Sequence, residues 1–294
     1  MRYFQLTRIA LAIDDPEEML PIMGGFEPFE VMQAPEGMPL LSVTLSSAPC
    51  LPVAGEGYFS QTTSFTRIVY HADASHRTIM DIYDPEGHFV GQARYDEEAG
   101  SAVLRSPDPS VLRLALWECF GFFALPHDVL PIHSAVVKSG RRGALFLGSS
   151  GTGKSTHARL WIAHIPATTL LNDDSPIIYF DEENRLMVSG SPWGGKTPLF
   201  LNESYPVLGL VRLHQAPENQ MARLDTLQAI GALMPSFSSA IRLHPRFCRH
   251  LYRFVGRIAA TGRIYFLACL PDRDAAELCH DTMKKGEPHL NPPP

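Results

Sequence analysis

Residues 144–161 read ALFLGSSGTGKSTHARLW, and they give the most specific prediction of the fold. The apolar segment Ala144–Leu147 predicts a buried strand. A glycine-rich loop follows it, and the residues from Lys154 onward predict a helix that runs to about Ala163. A strand that enters such a loop and a helix that leaves it are typical of α/β proteins, so we expect an α/β fold for this part of the chain.

The loop Gly148–Ser155 matches the pattern G-x-x-x-x-G-K-[ST] at every position. Glycines let backbone N–H groups approach a phosphate closely, and the start of the following helix favours an anion. Lys154 would reach the β- and γ-phosphates, and the Ser155 hydroxyl would coordinate Mg²⁺. The pattern therefore predicts binding of ATP or another nucleoside triphosphate with Mg²⁺. The predicted nucleotide contacts are Gly148, Ser149, Ser150, Gly151, Thr152, Gly153, Lys154, Ser155, Thr156 and Lys196.

Polar residues on both sides of the loop are candidates for the chemistry. His133 lies in the apolar segment before the loop, and Asp173 and Asp174 follow an apolar segment after it. Adjacent aspartates on an extended chain point to opposite sides, so one could face an acceptor and the other a metal ion or Lys154. Two neighbouring carboxylates also raise one pKa, which suits a proton acceptor. The candidate catalytic residues are His133, Lys154, Asp173 and Asp174, and the candidate Mg²⁺ ligands are Ser155 and Asp174.

With these residues the chain resembles the HPr kinase/phosphorylase family, which is related to the phosphoenolpyruvate carboxykinases. In that family a histidine lies one hairpin before a glycine-rich phosphate loop, and paired aspartates end a later strand. His133, the loop and the pair Asp173–Asp174 match these features, and the resemblance extends from about Leu125 to Leu213. It implies a kinase-like phosphate-loop domain with a mixed sheet, and it implies homo-oligomers.

The resemblance also implies roles for single residues. At one segment, however, the sequence departs from the family pattern. Asp173 matches the catalytic base because it comes first after the strand, and Asp174 would then support Mg²⁺. The family's magnesium-binding glutamate, in a Leu-Glu-x-Arg-Gly segment, has no counterpart here. Pro192–Lys196 stands in its place, and Lys196 would contact phosphate or substrate. A similar group of kinase-like proteins, found near peptide-modification genes, includes members that phosphorylate serine on a peptide, so HPr itself is not implied as the substrate.

The first hundred residues have a different sequence pattern from the rest of the chain. Short apolar runs such as Ile9–Ile13, Leu40–Leu45 and Thr78–Ile82 alternate with proline and glycine clusters. This predicts a β-rich N-terminal domain over residues 1–108. It contains no motif for phosphate, metal or nucleophilic chemistry, so we expect it to recognise an acceptor or to mediate assembly. Residues 109–294 are the predicted kinase-like domain, beginning with a helix over Ser110–Phe123, where leucines recur at helical spacing.

Composition narrows the choice of partners and location. The formal net charge is −6, which gives no electrostatic reason to expect nucleic acid as a partner. No apolar run approaches the roughly 20 residues that span a bilayer, and residues 1–8 lack the pattern of a secretory signal. The five cysteines are scattered without a Cys-x-x-Cys pair. We therefore expect a cytoplasmic protein with neither a disulfide framework nor a zinc site, and no membrane partner.

Several functions remain open at this point. The leading interpretation is an ATP-dependent phosphotransferase that moves the γ-phosphoryl group to a hydroxyl, either of serine in a peptide or protein or of a small molecule. The alternative is an ATPase or nucleotide sensor, which needs a water-positioning residue and a switch segment. A carboxykinase-type enzyme would need a second metal site and arginines for a carboxylate. A scaffold without activity is a further alternative.

Overall fold

The chain is a mixed α/β protein with two large mixed β-sheets and a β-rich N-terminal part, as the sequence predicts at this level. A computed structural model describes residues 1–63, 65–195 and 197–286. The first of two compact units comprises Met1–Pro131, Ser191–Trp193 and Phe237–Arg253, and the second comprises Ile132–Gly190, Gly194–Ser236 and Phe254–Pro294. The predicted division into domains of residues 1–108 and 109–294 stays a prediction.

The elements are numbered in chain order. The strands are β1 (Arg2–Leu6), β2 (Ile9–Asp14), β3 (Glu30–Val31), β4 (Leu40–Ser46), β5 (Phe59–Thr62), β6 (Arg67–Ala72), β7 (Arg77–Tyr83), β8 (Phe89–Asp96), β9 (Ser101–Arg105), β10 (Val129–Pro131), β11 (Ser134–Ser139), β12 (Arg142–Leu147), β13 (Thr168–Asn172), β14 (Ile177–Phe180), β15 (Leu186–Ser189), β16 (Ser204–Gln215), β17 (Gln220–Arg223) and β18 (Ile264–Cys269). The helices are α1 (Leu20–Met23), α2 (Pro109–Ala124), α3 (Lys154–His164), α4 (Thr226–Leu233), α5 (Ser239–Leu243), α6 (Phe247–Ala260) and α7 (Arg273–Lys285).

The first unit contains one sheet of strand order β3-β1-β2-β4-β9-β8-β7-β6-β5. Strand β4 is parallel to both β2 and β9, and the remaining pairs are antiparallel. In β4 the apolar residues Leu41, Val43 and Leu45 are buried and alternate with more exposed ones, as expected for a strand with one face on a core.

Helix α2 covers the predicted span Ser110–Phe123, with one further residue at each end. Its start is marked by Asp108, whose side chain accepts a hydrogen bond from the Ser110 amide at 2.8 Å, and by Pro109 in the first helical position. Leu112, Leu116 and other apolar residues at helical spacing are buried in the first unit. The helix therefore forms where local capping and burial of an apolar face agree.

Helix α2 also carries a carboxyl group into the core of the first unit. The Glu118 side chain is fully buried and accepts hydrogen bonds from the Tyr70 hydroxyl at 3.0 Å and the Ser238 hydroxyl at 2.9 Å. Burial raises the pKa of Glu118 to about 7, because a charged carboxylate loses its hydration, and the two hydroxyls offset only part of that cost.

The second unit holds the sheet that carries the glycine-rich loop. Strand β12 lies between β11, which is antiparallel to it, and β16, which is parallel to it; β16 is in turn parallel to β18. Helix α3 packs on this sheet through Trp161, which is buried in a core with Phe146, Val211 and Leu267. Three parallel strands, β12, β16 and β18, therefore end at the same edge of the sheet.

No helix in the described part of the chain is both long enough and apolar enough to cross a membrane.

Candidate functional site

The glycine-rich loop lies where the sequence predicts it, between the end of β12 at Leu147 and the start of α3 at Lys154. Gly151 and Gly153 have φ angles of 80° and 105°, a region that glycine enters without the steric cost other residues meet. At Gly148 a Cβ atom would lie 2.8 Å from the Thr152 Cβ, so a side chain there would displace the loop. The motif glycines are thus required by the loop conformation itself.

The loop offers backbone donors to an anion. Within the described residues, no side chain caps the start of α3, so the first amides of this helix remain available to a ligand. Ser149, Ser150 and Ser155 are exposed. An uncapped helix start behind a glycine-rich loop suits a phosphate group, because the amide hydrogens and the helix dipole both favour negative charge there.

Lys154 is buried and folds back onto the loop. Its Nζ donates to the carbonyl oxygens of Gly148 at 2.9 Å and Ser149 at 3.3 Å, and it lies 2.9 Å from His133 Nε2. Burial lowers the pKa of Lys154, and the nearby charge of Arg212 lowers it further, against the opposing effect of Asp174. A lysine surrounded by weak carbonyl acceptors is well placed to turn to the stronger acceptor that a phosphate oxygen provides.

His133 connects Lys154 to Asp174. Its Nδ1 lies 3.4 Å from Asp174 Oδ1. Because an ammonium group can only donate, Nε2 accepts from Lys154 and the ring proton lies on Nδ1, directed to the carboxylate. Burial by itself raises the pKa of Asp174, but the interactions with His133, Ser175 and Lys154 outweigh it, so the pKa is lower than usual and the carboxylate is ionised. The result is a chain of contacts from ammonium through imidazole to carboxylate.

Strand pairing brings these residues together. Strand β11 begins directly after His133 and pairs with β12, which leads to the loop, and with β13, which leads to the aspartates. The Ser134 amide donates to the Asp174 carbonyl at 2.9 Å, and the Asp174 amide donates to Asn172 Oδ1 at 2.9 Å. The backbone on both sides of the His133–Asp174 contact is therefore held by hydrogen bonds.

The two adjacent aspartates have different partners. The Asp173 carboxylate accepts hydrogen bonds from the Gly195 amide at 2.7 Å and the Thr197 amide at 3.0 Å, so it holds the backbone that follows Trp193. In this arrangement Asp173 anchors a loop, while Asp174 contacts His133. Which of the two acts as a base stays a prediction, and Lys196 lies outside the described residues.

Trp193 is a packing residue of the first unit. Its ring is 4% exposed and lies 5.3 Å from the ring centroid of Phe120 and 5.9 Å from that of Phe26.

Sequence reasoning did not select Arg212. It lies on β16 opposite Leu147, the last residue before the loop, and its flanking residues Val211 and Leu213 are buried in the core on the other face. The guanidinium group is half-buried, which lowers the pKa of Arg212, and it reaches Ser236 Oγ at 3.5 Å. No carboxylate among the described residues lies within ion-pair distance of it. The available signal was a single arginine inside an apolar strand.

The described residues supply oxygen ligands for a metal ion near the loop, but they do not form a complete metal site by themselves. In the ranges that the structure covers, no group of three or more His, Cys, Asp or Glu side chains could hold an ion. Mg²⁺ is commonly held by one or two side-chain oxygens together with phosphate oxygens. The exposed Ser155 hydroxyl and the ionised Asp174 carboxylate fit that kind of site.

A scan against models of known protein families finds no match for this chain, and a search of curated proteins finds no relative of significant similarity. The resemblance to the HPr kinase/phosphorylase family therefore stays a prediction made from the motif residues of the sequence.

Proposed function

We propose that this protein is an ATP-dependent kinase that transfers the γ-phosphoryl group to a hydroxyl of a peptide, a protein or a small molecule. The observation that carries the proposal is the contact chain Lys154–His133–Asp174 at the glycine-rich loop. A phosphate loop alone serves hydrolysis, transfer or sensing. A carboxylate–histidine pair in contact with the loop lysine adds a proton acceptor, which transfer to a hydroxyl uses.

Binding of the triphosphate falls to the loop and to two cations. The amides of residues 148–155 would face the phosphates, and Lys154 would leave the Gly148 and Ser149 carbonyls for phosphate oxygens. Arg212 would neutralise charge on the γ-phosphoryl group, since it lies opposite Leu147, the last residue before the loop, and its charge lowers the pKa of Lys154. Ser155 would hold Mg²⁺ together with phosphate oxygens.

The transfer step follows from the same contacts. Once Lys154 turns to phosphate, His133 Nε2 loses its donor and can accept a proton. The acceptor oxygen forms a bond to the γ-phosphorus, the bond from that phosphorus to the β–γ bridging oxygen breaks, and the nucleoside diphosphate leaves with the electron pair. The hydroxyl proton passes to Nε2, and the ionised Asp174 stabilises the resulting imidazolium. Asp173, bonded to the Gly195 and Thr197 amides, would position the neighbouring loop.

The test is phosphoryl transfer measured by intact-mass spectrometry, with ATP, Mg²⁺ and a panel of serine-containing peptides and small hydroxyl compounds. An acceptor should gain the mass of one phosphoryl group. Asp174→Asn should then slow transfer by at least about a hundredfold, because the imidazolium formed on His133 loses the carboxylate that stabilises it, while nucleotide affinity changes by less than about tenfold. If added Mg²⁺ restores transfer in this variant, Asp174 is a metal ligand instead of part of the base.

Asp173→Asn is the matched control, because it removes one charge from the neighbouring residue. It should loosen the backbone at Gly195 and at Thr197, whose amides Asp173 accepts from, and reduce transfer less than Asp174→Asn does. The reverse order would make Asp173 the base, as the family resemblance implies. If ADP and phosphate are released at a rate that no acceptor changes, this result would contradict the kinase assignment and favour an ATPase.

A further inference from the structure

A large cavity opens beside the glycine-rich loop in the second unit. Its volume is about 700 Å³, within the range of roughly 300–1,000 Å³ that small-molecule sites occupy. One wall is the loop itself at Gly151–Gly153, and a second is the face of α3 that bears Thr156 and Leu160. The remaining walls are residues 213–217, at the end of β16, and Cys269–Pro271, at the end of β18.

The position of the cavity follows from the topology. Strands β12, β16 and β18 are parallel neighbours, so the segments after their carboxyl ends lie side by side. Ligands of α/β proteins bind at this edge of a sheet. The loop after β12 is one of these segments, and Gln215 links it to the next, because its Nε2 donates to the Gly151 carbonyl at 3.2 Å. A ligand whose phosphates lie on the loop can therefore extend into the cavity.

The cavity wall offers apolar surface and few hydrogen-bonding groups. Leu160, Leu213 and Leu270 contribute aliphatic side chains, and Pro217 and Pro271 have no amide hydrogen. Two further amides of this wall are already used: Ala216 donates to the Cys269 carbonyl at 3.1 Å, and Leu270 donates to Asn219 Oδ1 at 2.8 Å. A flat ligand would meet mainly carbon atoms on this side.

The polar side chains that line the cavity are mostly engaged with the protein. The Thr152 hydroxyl donates to the Ser149 carbonyl at 2.7 Å, and His157 Nε2 accepts from the Trp161 indole at 3.2 Å. Burial lowers the pKa of His157 to about 4, so its ring is neutral at physiological pH. These groups are poorly placed to distinguish the hydrogen-bonding edge of one base from that of another.

We propose that this cavity holds the base and ribose of a purine nucleoside triphosphate, and that it binds the base through apolar contacts rather than through hydrogen bonds to its edge. The proposal rests on the phosphate-binding role of the loop given under the proposed function, but not on phosphoryl transfer. Two consequences follow. The nucleoside adds affinity to the triphosphate, and adenine and guanine add similar amounts.

The experiment compares ATP, GTP and inorganic triphosphate by titration calorimetry with Mg²⁺. The wild-type protein should bind ATP at least about tenfold more tightly than inorganic triphosphate, and ATP and GTP should agree within about tenfold. Ala216→Phe adds a ring to the cavity wall and narrows the cavity, so it should weaken both nucleotides by about tenfold while inorganic triphosphate changes by less than about twofold. Leu270→Gln is a second, milder variant, and it too should weaken ATP and GTP while leaving inorganic triphosphate nearly unchanged. Leu227→Gln, which changes a leucine that is 80% exposed on α4, is the control and should change none of the three.

Each outcome decides a different point. Equal affinity for ATP and inorganic triphosphate in the wild-type protein overturns the base site while leaving the phosphate loop in place. Equal weakening of all three ligands by both cavity variants overturns it as well. A strong preference for one purine overturns the apolar mode of recognition. Failure to bind any of the three refutes the loop and the cavity together, whereas normal binding without transfer to any acceptor refutes only the kinase.

Discussion

Replacement of Glu118 by glutamine should change how the stability of the first unit depends on pH. Glu118 is fully buried on α2, and its two hydrogen-bond donors, Tyr70 and Ser238, are neutral hydroxyls rather than cations. An ionised carboxylate in this position therefore has no charge of opposite sign to offset the loss of hydration. Glutamine keeps the size and the carbonyl acceptor of the side chain but does not ionise.

The magnitude follows from the raised pKa. Burial brings the pKa of Glu118 from its ordinary value of 4.5 to about 7 in the folded protein, and this difference corresponds to about 3 kcal/mol. Because the folded form holds the proton more tightly, its stabilisation is fully present below pH 4.5 and is lost as the pH rises through 7. The free energy of unfolding of Glu118→Gln minus that of the wild type should therefore rise by about 3 kcal/mol between pH 4.5 and pH 8.

The assay is urea-induced unfolding at several pH values, followed by intrinsic fluorescence, to which the adjacent Trp117 contributes. The difference in the free energy of unfolding between variant and wild type cancels the contributions of other groups that titrate in the same pH range, so it reports on Glu118. Glu36→Gln, which neutralises an exposed glutamate of the same unit, is the control and should give a flat difference. A flat difference for Glu118→Gln as well would show that its burial does not perturb its ionisation, and the reasoning would be refuted.

Three further predictions concern the loop. Lys154→Ala should lower the affinity for ATP by about a hundredfold, because a hydrogen bond to a charged group contributes about 1.5–3 kcal/mol; unchanged affinity in calorimetry would remove Lys154 from the phosphate site. Arg212→Gln should weaken ATP and inorganic triphosphate alike by about tenfold, and Arg212→Lys should recover part of the loss; equal affinities for all three proteins would make Arg212 structural. Gly148→Ala should weaken nucleotide binding because its Cβ would lie 2.8 Å from the Thr152 Cβ; a hydrogen-exchange comparison of the loop without ligand should detect its displacement, and an unchanged exchange pattern together with normal binding would disprove the packing argument.

Much of the local structure follows from sequence patterns. Strand β12 and helices α2 and α3 form within a few residues of their predicted bounds, because apolar periodicity, caps and glycines act over a few residues. The predicted strand Ile132–Val137 is shifted, and β11 runs over Ser134–Ser139. The strand patterns of the N-terminal part were visible as well, but their order was not. The parallel pairs of β4 with β2 and β9 join segments that are far apart in sequence, and short-range patterns carry no information about such pairs.

The candidate site also combines features that local sequence predicts with features that depend on long-range contacts. The phosphate loop could be predicted from local sequence, because the φ angles of Gly151 and Gly153, the uncapped start of α3 and the position of Lys154 are all local consequences of one motif. Which polar residues meet that loop depends instead on the pairing of strands that are distant in sequence. His133 contacts Lys154, and Asp174 contacts His133, because β11 pairs with β12 and β13. Arg212 lies opposite Leu147, the last residue before the loop, because β16 is parallel to β12. Asp173 and Asp174 are adjacent in sequence and chemically identical, yet they have different partners, because the direction of a side chain depends on the backbone around it and on what packs against it.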